Sequence, residues 1–158
     1  MDHEDFKILN EIGFSFLHPY KVAGMGEPWL ERIERTLELL KDEGIGAILT
    51  LTEDNYYGQY YQIAGLVNHH VPIDDCEPPS RDGMDSALAF IDDCCDNGIG
   101  VAVHCFEGRG RTGTVLGVWL GKKELLDPDK AIKRIKGLRI RTVLTESQRN
   151  FFYQYLDE

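Results

Sequence analysis

Short apolar runs alternating with amphipathic segments of helical period leave this chain few architectures. Ala47-Ile48-Leu49-Thr50-Leu51 and Ile99 to Val103 are apolar almost throughout, the pattern of strands covered on both faces. Leu66 to Val71 reads as another strand, and Phe14-Ser15-Phe16-Leu17 alternates like a short one. Between them, Trp29/Leu30, Ile33, Leu37 and Leu40 recur at helical spacing as far as Gly44, entered through a Gly24-Met25-Gly26 turn and Pro28. Met84, Leu88, Ile91 and Cys94/Cys95 stripe a second helix, ended by Asn97-Gly98. Val115, Leu116, Val118, Trp119 and Leu120 make a third helix apolar nearly all round, which predicts burial. Asp127-Pro128 supplies an N-cap and a first-turn proline for a helix closed by Gly137. Thr145-x-x-Gln148 has the form of a capping box and opens a last helix with Phe151, Phe152, Tyr155 and Leu156 toward the core. Strands alternating with helices predict an α/β fold: a central, mostly parallel sheet flanked by helices on both faces. No repeat or long linker divides the chain, so residues 1–158 are expected to form one domain.

Charge narrows the partners. With 17 Lys+Arg against 27 Asp+Glu and a formal net charge of −10, the molecule's field repels nucleic acid and anionic membrane. Met1-Asp2-His3-Glu4-Asp5 is acidic where a secretory signal is basic and then apolar, and no run reaches the ~18 apolar residues of a membrane span. Cys76, Cys94, Cys95 and Cys105 follow no disulfide framework, so the expectation is a reduced, cytoplasmic monomer. Basic residues crowd between Lys122 and Arg141, either as a solvated helical face or as a rim beside an anion site, with Arg139 and Arg141 available to dock an acidic substrate. His69-His70 has no partner at metal-ligand spacing, and neither metal nor other cofactor is expected.

Ligands of such folds bind beyond the carboxyl ends of the strands, which directs attention to the turn after Val103. It reads His104-Cys105-Phe106-Glu107-Gly108-Arg109-Gly110-Arg111-Thr112-Gly113. Its glycines allow successive backbone N–H groups from Phe106 to Arg111, through Glu107, Gly108, Arg109 and Gly110, to converge into a nest that opens on a helix N-terminus. That is a cradle for a tetrahedral oxyanion, to which Arg111 adds a bidentate fork. A thiol in those surroundings should fall from ~8.5 into the ~3.5–7.5 range of activated cysteines, making Cys105 a nucleophile placed under a bound phosphate.

These ten residues resemble the signature loop of the protein tyrosine phosphatase superfamily, and the short chain resembles its dual-specificity branch from about Phe14 to Tyr155. The resemblance implies Cys105 as nucleophile, Arg111 as phosphate clamp, Thr112 as hydrogen-bond donor to the departing sulfur, and His104 as structural support for the loop. It also implies an aspartate on a loop about thirty residues upstream that protonates the leaving oxygen. Val71-Pro72-Ile73-Asp74-Asp75-Cys76-Glu77-Pro78-Pro79 lies at that place, and Asp75 fits the spacing better than Asp74. Gln148 falls where relatives position the attacking water, although a capping box already gives it a local task. Cys76, beside the acid, is a candidate for a reversible disulfide with Cys105.

The implied activity is metal-independent hydrolysis of phosphotyrosine, together with phosphoserine and phosphothreonine, in proteins or peptides. No Lys-Asn-Arg-Tyr element deepens the pocket toward tyrosine alone. Tyr56, Tyr57, Tyr60, Tyr61 and Phe106 are candidates for an aromatic rim. Phosphoinositide hydrolysis is the alternative; Glu107 speaks against it, because lipid-directed relatives carry extra basic residues in this loop. A non-catalytic phosphoresidue-binding module is the third reading, and it leaves the thiolate and the upstream acid without a purpose.

Overall fold

The computed structural model describes residues 2–157. An N-terminal helix, α1 (His3–Glu11), precedes a hairpin-like pair of strands, β1 (Ser15–Phe16) and β2 (Val22–Met25). A 3-10 turn over Leu30–Arg32 leads into α2 (Ile33–Asp42), and then follow β3 (Ile45–Thr50), α3 (Gly58–Ile63), β4 (Val67–His70), α4 (Arg81–Asp96) and β5 (Gly100–His104). Three helices complete the chain: α5 (Gly110–Glu124), α6 (Pro128–Leu138) and α7 (Glu146–Leu156). The strands lie in the order β1-β2-β5-β3-β4, with β1 antiparallel to β2 and every other pairing parallel.

Because successive strand residues face opposite ways, the sheet organises two apolar layers. Val101 and Val103 join α4, α5, α6 and α7 through Ile91, Leu116, Ile135 and Phe152. Ala102 faces the other layer, where Ile8, Leu37, Leu40 and Tyr61 arrive from α1, α2 and α3. The helix α5 is buried from Arg111 to Gly121, as its all-round apolar character requires. The central position of β5 sets the site: Met25 and Thr50 both pair in register with His104, so the chain ends leaving β2 and β3 flank the loop that leaves β5.

Several local expectations need correction. The Gly24-Met25-Gly26 segment is not a turn; Gly24 and Met25 belong to β2, where the missing side chain of Gly24 leaves room for Arg139, whose Nε lies 2.7 Å from where a Cβ would stand. Trp29 and Leu30 are exposed, because the first regular turn of α2 begins at Ile33 and the preceding 3-10 turn rotates them out of its apolar stripe. Gly137 does not close α6, which runs through Leu138. Helix α1 starts at an N-cap, Asp2, whose side chain accepts from the Asp5 N–H, and α3 spans only six residues without a side-chain cap; periodicity predicts neither. Among the described residues no helix is long and apolar enough to cross a membrane.

Candidate active site

The loop from Cys105 to Arg109 joins the end of β5 to the start of α5, and its backbone is fixed from outside. His104 is fully buried beneath it. Its Nδ1 donates to the Cys105 carbonyl at 3.1 Å, leaving Nε2 to accept from the Thr50 and Tyr61 hydroxyls, each at 3.1 Å. Burial pushes the imidazole pKa down to about 4, so it is neutral at pH 7 and takes no charge into the core. The Phe106 carbonyl accepts from the Glu27 N–H at 2.9 Å. Gly108 adopts φ +74°, and a Cβ there would lie 2.6 Å from the Met25 carbonyl group, so glycine is required on both counts.

Arg139 is the residue sequence reasoning misplaced most. It is buried rather than available for docking a substrate. One guanidinium nitrogen donates to the carbonyls of Gly13 and Gly24 and to the Ser15 hydroxyl, and the other donates to the Gly108 carbonyl at 2.9 Å. Burial, with Arg141 nearby, lowers its pKa to about 10, which still leaves it charged at neutral pH. The side chain ties the anion loop to the β1–β2 edge.

Cys105 and Arg111 are both buried, and the Thr112 hydroxyl donates to the Cys105 sulfur at 3.1 Å. Only 4% of the Arg111 side chain is exposed. Its Nη1 donates to Glu53 at 2.6 Å and to the Ile73 carbonyl at 3.0 Å, while Nη2 stands 3.5 Å from Asp75 and Nε has no protein partner. The guanidinium is thus gripped along one side, with the Nε/Nη2 edge left for a second planar or tetrahedral anion. Glu53 was missed because it follows β3 in a loop with no motif of its own. Its carboxyl lies below the ordinary range through a hydrogen bond from its own backbone and the Arg111 contact.

A hollow of about 340 Å³ is lined by Asp75, Cys105, Phe106, Glu107, Arg109, Gly110 and Arg111. Asp75 reaches it with a side chain that is 73% exposed; Asp74 does not line it. The loop bearing Asp75 is latched to the start of α7: the Cys76 carbonyl accepts from Thr145 at 2.8 Å and Ser147 at 3.3 Å, and Gln148 Nε2 donates to the Glu77 carbonyl at 3.3 Å. The capping box is formed, with Gln148 Oε1 accepting from the Thr145 N–H. Both amide atoms of Gln148 are therefore engaged, and its side chain abuts Gly110 of the anion loop without lining the hollow. Cys76 is exposed in a left-handed conformation, φ +68°, in the loop that bears Asp75. The expected aromatic rim divides: Tyr61 is core and holds His104, whereas Tyr57 and Phe106 border a neighbouring groove. Among the described residues no group of three or more His, Cys, Asp or Glu side chains is placed to hold a metal.

Comparison with known proteins agrees with this geometry. An uncharacterised protein of Methanocaldococcus jannaschii is 37% identical over 87 residues, covering 55% of this chain and 58% of that protein. Cyclin-dependent kinase inhibitor 3 of Mus musculus is 24% identical over 135 residues, covering 80% of this chain and 64% of the relative. The chain thus spans less than two thirds of the length of these relatives. Tk-PTP in its active form superposes with a TM-score of 0.82 at 24% identity, over 92% of this chain and 97% of that one. PTPMT1 in complex with PI(5)P does so at 0.79 and 19%, over 92% and 95%; at such identities the likeness speaks for the fold. The family model described as a polymorphic toxin system DSP-PTPase phosphatase matches residues 23–124, from β2 through α5 and so across Glu53, Asp75, Cys105 and Arg111. The chain therefore belongs to the dual-specificity-type branch of the protein tyrosine phosphatase superfamily.

Proposed function

We propose that this chain, acting as a single monomeric domain in the cytoplasm, is a metal-independent phosphatase that hydrolyses phosphotyrosine, phosphoserine and phosphothreonine in proteins. The observation that carries the reading is that Cys105, Asp75 and Arg111 line one small hollow. The phosphoryl group sits in the loop cradle with two oxygens on Arg111. The Cys105 thiolate attacks phosphorus in line with the departing oxygen; the S–P bond forms, the P–O bond breaks, and Asp75 gives its proton to the leaving alcohol or phenol. Water then attacks the cysteinyl phosphate and returns a proton to Asp75. The sulfur leaves as a thiolate that accepts the Thr112 hydrogen bond. Glu53 and the Ile73 carbonyl hold the Arg111 fork in plane. Gln148 serves as a positioning residue that fixes the acid loop through Glu77.

Two features favour protein phosphoresidues over phosphoinositides. Glu107 stands at the mouth of the hollow, paired with Arg109 at 3.6 Å, so the rim offers a multiply charged headgroup little net positive charge. The net charge of −10 opposes an anionic membrane surface. The test is phosphate release from p-nitrophenyl phosphate in excess chelator by the wild type, Cys105→Ser, Asp75→Asn and Asp74→Asn. Activity is expected without metal, none from Cys105→Ser, and a fall in turnover on the order of 10²–10⁴-fold for Asp75→Asn. A more damaging Asp74→Asn would refute the choice of acid. Phosphopeptides and phosphoinositides compared under the same conditions decide the substrate class, and preferred turnover of the lipid would overturn the protein assignment.

A further inference from the structure

A second groove, of about 470 Å³, opens beside the catalytic hollow and shares Phe106, Glu107 and Arg109 with it. A polypeptide whose phosphoresidue occupied the hollow would lay its neighbouring residues there. The groove is bordered by the exposed ring of Phe106 and by Tyr57, and two carboxylates of its lining, Glu27 and Glu31, take part in no ion pair among the described residues. The other charges largely cancel: Glu11 pairs with Arg32 and Glu107 with Arg109, leaving Arg141 as the remaining cation of the lining.

Glu27 holds the pivotal place. Its backbone N–H is bonded to the Phe106 carbonyl, so its carboxyl is anchored where the anion loop meets the groove. It is half-buried, and burial together with nearby Asp54 raises its pKa, while Arg111 opposes that rise. A partly desolvated carboxylate with acidic company and no paired cation is a place where an incoming cation relieves an existing cost.

We propose that this groove is a specificity subsite for a lysine or arginine flanking the phosphoresidue of the substrate, with Glu27 and Glu31 receiving the cationic group and Phe106 and Tyr57 its aliphatic stem. The assignment rests on the phosphatase reading above and sharpens its substrate class. Ring faces beside carboxylates suit a basic side chain, which brings both an apolar stem and a positive head. The same carboxylates repel acidic flanks and polyanionic headgroups.

The experiment measures binding rather than turnover, so that the two readings are tested separately. Fluorescent phosphotyrosine peptides differing only in lysine or glutamate at the two positions on either side of the phosphoresidue are titrated against Cys105→Ser by anisotropy. The lysine peptide is expected to bind about tenfold tighter or better, a preference that shrinks to below about threefold in Cys105→Ser carrying Glu27→Gln and Glu31→Gln, and that weakens with rising salt. Glu31 is exposed, so Glu31→Gln alone is the second variant and should lower the same ratio. Equal affinities, a preference that survives the double substitution, or tighter binding of an inositol phosphate headgroup than of the lysine peptide would each overturn the proposal. Turnover of the same peptides by wild type reports on the chemistry alone: no turnover with the lysine preference intact refutes the phosphatase reading and upholds the groove.

Discussion

Replacing His104 with asparagine should change how stability depends on pH. The buried imidazole has its pKa lowered from 6.5 to about 4, desolvation being the largest cause. Between those values the unfolded chain binds a proton that the folded chain excludes, so acidification favours unfolding. For one site with those two constants the linkage relation gives a loss of about 2 kcal/mol between pH 7 and pH 5. Asparagine keeps a donor for the Cys105 carbonyl but cannot titrate. Carboxylates held low in the folded state, such as Asp5 and Glu124, also lose stability on acidification, but they do so in both proteins and cancel from the comparison. Urea unfolding of wild type and His104→Asn at pH 7, 6 and 5 gives the two slopes. His104→Asn is expected to be less stable at pH 7 yet to lose about 2 kcal/mol less on going to pH 5. Parallel slopes would mean that the imidazole takes up its proton in the folded protein over the same pH range as in the unfolded chain, and the neutral-histidine account of the loop would fail.

Other expectations follow from the contacts of the loop. Arg139→Met strands buried acceptors at Gly13, Gly24 and Gly108 and should cost about 3–5 kcal/mol in urea unfolding, with Arg139→Lys intermediate; a loss under about 1 kcal/mol for Arg139→Met would show that the arginine is not the clamp described. Gly108→Ala forces a left-handed residue against the Met25 backbone and should raise the inhibition constant for vanadate on the order of tenfold or more, an unchanged constant being the contrary result. Thr112→Val removes the hydrogen bond to sulfur and should slow the second chemical step most, seen as a larger burst of p-nitrophenol before a slower steady state; loss of the burst would place the hydroxyl's effect in the first step.

Why the anion loop was readable and its supports were not has one physical cause. A segment that turns its N–H groups inward must turn carbonyls outward, and buried carbonyls need donors. The motif from His104 to Gly113 spells the inner lining, because cysteine, arginine and glycines at fixed offsets are what a phosphate cradle demands. The outer donors are dictated only by the tertiary fold. Cys105 O takes His104 Nδ1, Phe106 O takes the Glu27 N–H after β2, Gly108 O takes Arg139 from the end of α6, and Gly110 O takes the Thr114 hydroxyl one turn on. Two of those four donors lie more than 25 residues from the carbonyl they serve, and nothing local distinguishes Arg139 from an arginine on a solvated face. The acid loop repeats the lesson. Thr145-x-x-Gln148 is legible as a capping box and forms one, yet the Thr145 hydroxyl and Gln148 amide also reach about seventy residues back to the carbonyls of Cys76 and Glu77. The helix start and the acid loop thus share one set of polar groups. A substitution at Thr145 should therefore loosen the Asp75 loop as well as fray α7, a coupling that local propensity does not contain.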